Sequence, residues 1–292
     1  MKRGIKILVL GAHGMLGYMV VKILADDPHF SVLGTQSQKK GQWLYFNALN
    51  GIEPLKKIFS HQQFDYCMNC IGMTKNNIDE DNTVSVAKAI RINALFPHEL
   101  SSVAAQYGTR VIQISSDGVF SGQNRFYDEN SPCDCQDVYG RTKVLGEVNA
   151  PNFLNIRCSI IGPSPLKRSG LYEWFRSQPD GAKIKGYTNH IWNGVTTLQF
   201  AQLCRTIIRE NMFAQMRKTS KVFHFAPNEE LSKYELLVLF NKILGKGLTI
   251  VRTNDGAKMI KRKLKSRYTV MKKMYPRLIF MELALKEMIK SL

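Results

Sequence analysis

The sequence predicts an α/β protein, a doubly wound parallel sheet with a smaller C-terminal lobe. Strand-like and helix-like segments alternate through the first 160 residues, the order that builds strand–helix–strand crossovers. Several strand candidates are apolar throughout instead of alternating, as strands covered on both faces are. The first of them runs into a glycine-rich turn that opens a helix. At 292 residues and 44% hydrophobic, the chain can bury the core of one large domain or of two lobes sharing an interface.

Ile5–Leu10 is the first apolar strand, ending at Gly11, and residues 14–25 carry helical periodicity. Phe30–Leu33 is the next strand, followed by Gly34 and a polar loop through Gly41. Trp43–Phe46 is a weak strand, 52–59 a short helix and 64–71 a buried strand. One long helix is expected over 83–107, stopped by Gly108. Val111–Ser115 is a strand, 138–149 a helix, and Phe153–Arg157 begins one more strand. From Pro163 onward Gly and Pro interrupt the pattern. A strand at Val222–Phe225, a helix near 231–243 and helical stretches near 257–273 and 279–290 complete the expected elements.

Composition narrows the function classes. No run of about 18 apolar residues is present, and Met1-Lys2-Arg3-Gly4 leads into an apolar stretch too short for a signal peptide. A cytoplasmic protein with no membrane partner is expected. Six cysteines fit a reducing compartment. Cys67 and Cys70 have a CxxC spacing, but residues three apart on a strand point to opposite faces and cannot share one metal. Cys133 and Cys135 have no second motif to support them, so no metal site is expected. The net charge is +18, and residues 251–292 hold 12 Lys and Arg against 3 Asp and Glu, half of that excess. No nucleic-acid motif accompanies it, so nucleic acid is not an expected partner. Two readings are favoured, a solvated basic face or a lobe whose positive potential suits a pyrophosphate-bearing substrate, and a third, nucleic-acid binding through the basic tail, would show as salt-sensitive binding to any polyanion.

Gly11-Ala12-His13-Gly14-Met15-Leu16-Gly17 sets glycines at G-x-x-G-x-x-G between the first strand and the first helix, the context that a Rossmann dinucleotide fingerprint requires. Gly11, His13, Gly14, Met15, Leu16 and Gly17 are therefore candidate cofactor contacts. The glycines bring backbone amides against a pyrophosphate, and the helix N-terminus favours the anion. Domains that prefer NAD usually place an acid at the end of the second strand. Here Leu33-Gly34-Thr35-Gln36-Ser37-Gln38-Lys39-Lys40 holds none. Thr35 and Ser37 can donate hydrogen bonds, and Lys39 or Lys40 can meet a 2′-phosphate, so NADPH is expected ahead of NADH.

Tyr139-Gly140-Arg141-Thr142-Lys143 puts a phenol and an ammonium at i and i+4, on one helix face. The ammonium is expected to lower the phenol's pKa and to hold a nicotinamide ribose, and the tyrosine to protonate a carbonyl oxygen as hydride arrives at carbon. The pair follows Ile114-Ser115-Ser116-Asp117-Gly118-Val119-Phe120 at the spacing of a strand end, a loop and a new helix. Ser116, at the C-terminal end of that strand, can hydrogen-bond the substrate oxygen, with Ser115 beside it on the cofactor side. The blander reading makes the serines turn caps and the Tyr–Lys pair an ordinary surface pair.

With these motifs in order, the chain resembles the extended short-chain dehydrogenase/reductases, and among them the dTDP-4-dehydrorhamnose reductase family. Arg91-Ile92-Asn93-Ala94, Arg157-Cys158-Ser159-Ile160-Ile161-Gly162 and Trp192-Asn193-Gly194-Val195-Thr196-Thr197 match as well, and the likeness runs from residue 5 to about 240. The resemblance implies reduction of the 4-keto group of a nucleotide-linked deoxy-sugar for surface polysaccharide. By position it makes Ser116, Tyr139, Lys143 and Asn93 catalytic, sets Ile71 and Gly72 beside the cofactor, and gives Thr74, Asp117, Gly118 and Trp192 to the substrate. Gly118 departs from the tyrosine common in the family, and Phe46-Asn47 lacks an acid often found near the adenine. The expected division is an NADP-binding domain over 1–162, completed by about 190–225, with a substrate lobe from 163–189 and 226–292, as monomer or homodimer. Two other functions fit the same resemblance: a non-catalytic NADP-binding regulatory subunit like the methionine adenosyltransferase beta subunit, and an NAD-dependent sugar-nucleotide epimerase. Intact Ser116, Tyr139 and Lys143 weigh against the first, the missing acid after the second strand against the other.

Overall fold

The computed structural model describes residues 4–124, 126–166, 168–254, 256 and 259–292. Met1–Arg3, and positions 257 and 258 at the start of an expected helix, lie outside the described residues. β1 (Ile5–Leu10), α1 (Met15–Ala25), β2 (Phe30–Gln36), β3 (Leu44–Tyr45), α2 (Glu53–His61), β4 (Tyr66–Asn69), α3 (Thr83–Ala89), α4 (Phe96–Gln106), β5 (Arg110–Ile114), α5 (Val138–Leu145) and β6 (Phe153–Arg157) alternate along the first half. Then come β7 (Ile160–Ile161), α6 (Leu171–Ser177), β8 (Lys183–Tyr187), β9 (His190–Trp192), β10 (Val195–Thr196), α7 (Thr197–Arg209), α8 (Phe213–Thr219) and β11 (Val222–His224). β12 (Leu231–Ser232), α9 (Lys233–Leu244), β13 (Thr249–Thr253), β14 (Ile260–Arg262), α10 (Thr269–Met274) and α11 (Met281–Lys290) complete the described elements.

Seven strands form one parallel sheet in the order β11-β6-β5-β4-β1-β2-β3. Alternation along β1 explains its apolar run. Ile7 and Val9 join a core with Met19, Val20, Leu203 and Ile207, while Leu8 and Leu10 join a second with Phe59, Leu100 and Phe153. Each face needs its own cover, so every position from Ile7 to Leu10 is apolar and buried. Cys67 belongs to the second core and Cys70 packs against the first, on opposite faces as their spacing requires. The strand order reverses at β1, between β2 and β4. In such sheets ligands bind beside that reversal, at the C-terminal strand ends.

Smaller sheets lie beyond it: β12-β9-β14, β13-β8 and β10-β7. Capping boxes start two of the later helices, Thr196 with Gln199 for α7 and Ser232 with Glu235 for α9.

Two expectations are corrected. The long helix over 83–107 is α3 and α4 joined by a π-helical segment, Ile90–Leu95. Pro97 has no amide to offer the carbonyl four residues back, that of Asn93, and Phe96 donates five residues back to Arg91. The helix expected near 257–273 is a strand, β14, and only Thr269–Met274 is helical. Its Lys, Arg and Leu favour a helix locally. Pairing with β9, Lys261 opposite Ile191, overrides that preference. No helix among the described residues is long and apolar enough to cross a membrane.

Candidate active site

Asp137 caps α5, its Oδ1 accepting from the Gly140 amide at 2.7 Å while Lys75 holds Oδ2 at 2.8 Å. Tyr139 and Lys143 follow on one face of that helix. Across from them Ser116 caps a single turn over Asp117–Val119, its Oγ accepting from the Gly118 amide at 2.9 Å. A Cβ on Gly118 would stand 2.7 Å from Tyr139 Cε1 and 3.1 Å from Ser116 Oγ. The missing side chain is what lets the phenol ring and the serine hydroxyl close on one another. In this chain a larger residue at 118 would meet the Tyr139 ring.

Burial pushes the Tyr139 phenol up to about 12, with the Ser116 hydroxyl acting the other way. It also brings Lys143 down to about 8, against the pull of the Glu147 carboxylate. The phenol's pKa is thus raised where the sequence predicts it lowered, because burial outweighs the Ser116 hydroxyl. Desolvation dominates, and Lys143 Nζ donates to the Ile114 carbonyl at 2.9 Å. At neutral pH the phenol is protonated, which is the state a proton donor requires.

Glu147, just past the end of α5, anchors this helix. Its buried carboxylate accepts from Ser115 Oγ at 2.6 Å, Arg157 Nε at 2.7 Å and Arg157 Nη2 at 2.6 Å. The hydroxyl of Ser115 is therefore committed to Glu147. Asn93 lies in the π-helical segment and closes a two-bond ring on Met73, accepting from its amide at 2.8 Å and donating to its carbonyl at 2.9 Å. Its Nδ2 also reaches Thr142 Oγ1 at 3.3 Å. The loop after β4 is so fixed to the helix that carries Tyr139 and Lys143. π-helical turns often mark functional sites.

At the glycine loop, Gly11 adopts φ +78°, and a Cβ on Gly17 would run into the Gly11 carbonyl. Ile71 lies against Gly11, and Gly72 faces Asn93. Gly14 caps α1 without a side-chain bond, leaving the amides of the first turn, from Met15, Leu16 and Gly17, turned outward beside half-buried His13. That cradle fits a pyrophosphate. Thr35 is fully buried and its hydroxyl accepts from the Gly11 amide at 3.2 Å, so it supports the loop from beneath. Ser37, Lys39 and Lys40 are exposed on the loop after β2. Trp43, expected to begin a weak strand, lies just before β3 and covers Gly34.

Of the expected substrate contacts, Thr74 is exposed on the loop whose Lys75 reaches Asp137. Asp117 accepts from Ser116 at 3.3 Å, and burial raises its carboxyl against the field of Arg262. Trp192 is half-buried, packing over Gly194 and against the main core.

Residues 5–282 match a family model described as the RmlD substrate binding domain. Methionine adenosyltransferase 2 subunit beta of Danio rerio is 23% identical over 79% of this chain and 71% of its own length. The probable low-salt glycan biosynthesis reductase Agl14 of Haloferax volcanii is 31% identical over 52% of each chain. Among solved structures, dTDP-4-dehydrorhamnose reductase of Bacillus anthracis in complex with NADP superposes with a TM-score of 0.77 at 14% identity, over 98% of both chains. That last likeness concerns the fold alone.

Proposed function

From the premise that this chain belongs to the RmlD substrate-binding domain family, we propose that it is an NADPH-dependent reductase of a 4-keto group in a nucleotide-activated deoxy-sugar, serving surface polysaccharide. The observation that carries the reading is the approach of Ser116 and Tyr139 across Gly118, with Lys143 on the same helix face. Reduced nicotinamide, when bound, supplies the hydride. Tyr139 gives its proton to the carbonyl oxygen, and the Ser116 hydroxyl steadies the charge developing there. Lys143 holds the nicotinamide ribose, and Asn93 fixes the loop through Met73. Gly11, Gly14 and the first turn of α1 receive the pyrophosphate, and Lys39 with Ser37 reads the 2′-phosphate. Residues 1–162 with 190–225 form the cofactor side, and 163–189 with 226–292 the sugar-nucleotide side.

The test is NADPH oxidation, followed by absorbance, with a panel of 4-keto-6-deoxy sugars on dTDP and UDP. Rapid oxidation with any member supports the reading. The likeness to a methionine adenosyltransferase beta subunit over 79% of the chain favours one second reading, a non-catalytic NADP-binding subunit. It predicts tight NADPH binding with no turnover on the whole panel.

A further inference from the structure

We propose that Gln36 is a positioning residue that shapes the loop 37–43 into a phosphate-binding turn, on which the backbone amides of Lys39 and Gly41 take the cofactor's 2′-phosphate beside the Lys39 and Lys40 ammonium groups. The inference rests on the NADPH reading above and assigns the element that builds it. Gln36 ends β2 and is 1% exposed. Its Nε2 donates to the carbonyls of Gln38 and Lys40, both at 2.9 Å, and its Oε1 accepts from the Trp43 amide at 3.3 Å. One buried amide thus ties three points of a segment that is otherwise largely exposed. Gly41 leaves it room, since a Cβ there would run into the Gln36 side chain.

A trans peptide points its carbonyl and its N–H in opposite directions. Turning the Gln38 and Lys40 carbonyls inward onto Gln36 therefore turns the amides of Lys39 and Gly41 outward. Neither has an acceptor among the described residues. Two outward amides on a turn that also carries the exposed side chains of Lys39 and Lys40 suit an anion. The turn leaves β2 beside the glycine loop at the end of β1, because Thr35 accepts from Gly11 at 3.2 Å through its hydroxyl and from Ala12 at 2.8 Å through its carbonyl. The 2′-phosphate site is then set by backbone geometry as well as by lysine charge.

The experiment titrates NADPH and NADH by fluorescence into the wild-type protein and into Gln36→Met, which keeps the volume and removes the hydrogen bonds. The NADPH dissociation constant is expected to rise about tenfold, the worth of one charge-assisted hydrogen bond, and that for NADH by less than about twofold. In the wild type, the Lys39 and Gly41 amide resonances are expected to move with adenosine 2′,5′-bisphosphate and to stay with adenosine 5′-monophosphate. A preference for NADPH that survives in Gln36→Met, equal loss of both cofactors, or amides that do not move would overturn the role of Gln36 alone. Wild-type protein that binds NADH as tightly as NADPH, or binds neither, would overturn the cofactor reading and this inference with it. If Gln36→Met does not fold, the resonance test on the wild type still decides.

Discussion

Lys143 sits where a lysine costs stability. It is 6% exposed, and its pKa is about 8 in the folded chain against 10.5 unfolded. Between those values the unfolded chain binds the proton more tightly, so stability rises with pH across the window and carries the full penalty below it. Replacing it removes about 3 kcal/mol of penalty near pH 7 and orphans the Ile114 carbonyl at a cost of about 1 kcal/mol. Lys143→Met is therefore expected to raise Tm by a few degrees while abolishing turnover, as calorimetry and an NADPH assay together would show. A lower Tm would mean that the ammonium is structural. Tyr139→Phe is expected to lower kcat by about 10²–10⁴ with NADPH affinity nearly intact. Full turnover in that variant would remove the phenol from the chemistry.

At the scale of elements, α5 is held by partners far away in sequence, and this decides what could be read beforehand. The glycine turn, the Tyr–Lys spacing and the fully apolar strands are local patterns, and they were legible. Glu147 was not, because its meaning comes from Ser115 and Arg157, 32 and 10 residues away. Gln36 was likewise hidden among polar loop residues, and nothing local marks a buried amide. The π-helical segment depends on Pro97 acting on Asn93, a helix fault that periodicity does not register. β14 has a helix former's composition and a strand's neighbours. Glu147→Gln keeps the shape of its side chain and removes the charge that holds Lys143 up. An alkaline limb of kcat/KM is expected from the loss of the Lys143 proton near 8, and in Glu147→Gln it is expected to move to lower pH. A reduced rate with an unmoved limb would mean that Glu147 only supports the fold.

For the whole molecule, the decisive contact is the one between the edge of the main sheet and the C-terminal segment, and His224 is at its centre. It lies on β11 and is 1% exposed. Its amide donates to Glu129 at 2.9 Å, Nδ1 faces the Tyr127 carbonyl at 3.2 Å, and Nε2 faces Arg157 Nη1 at 3.4 Å. Glu129 also accepts from Ser266 at 2.6 Å and from the Arg267 amide at 2.9 Å. Three stretches distant in sequence meet around one imidazole, with Arg157 in turn paired to Glu147 under the candidate site. Burial, aided by Arg157, pushes His224 down to about 4 from 6.5, against the pull of Glu129 and Glu147. Its folded pKa lies below its unfolded one, so the unfolded chain takes the proton first as pH falls. The stability present above about 6.5 is lost progressively on the way down to about 4. Neutral His224→Gln is expected to be less stable at neutral pH and to show a flatter decline of Tm across that window, read by thermal scans at a series of pH values. Parallel slopes for the two proteins would put the acid sensitivity elsewhere. A flatter slope would make the junction of the sheet with the C-terminal segment the part of the molecule that acid opens first.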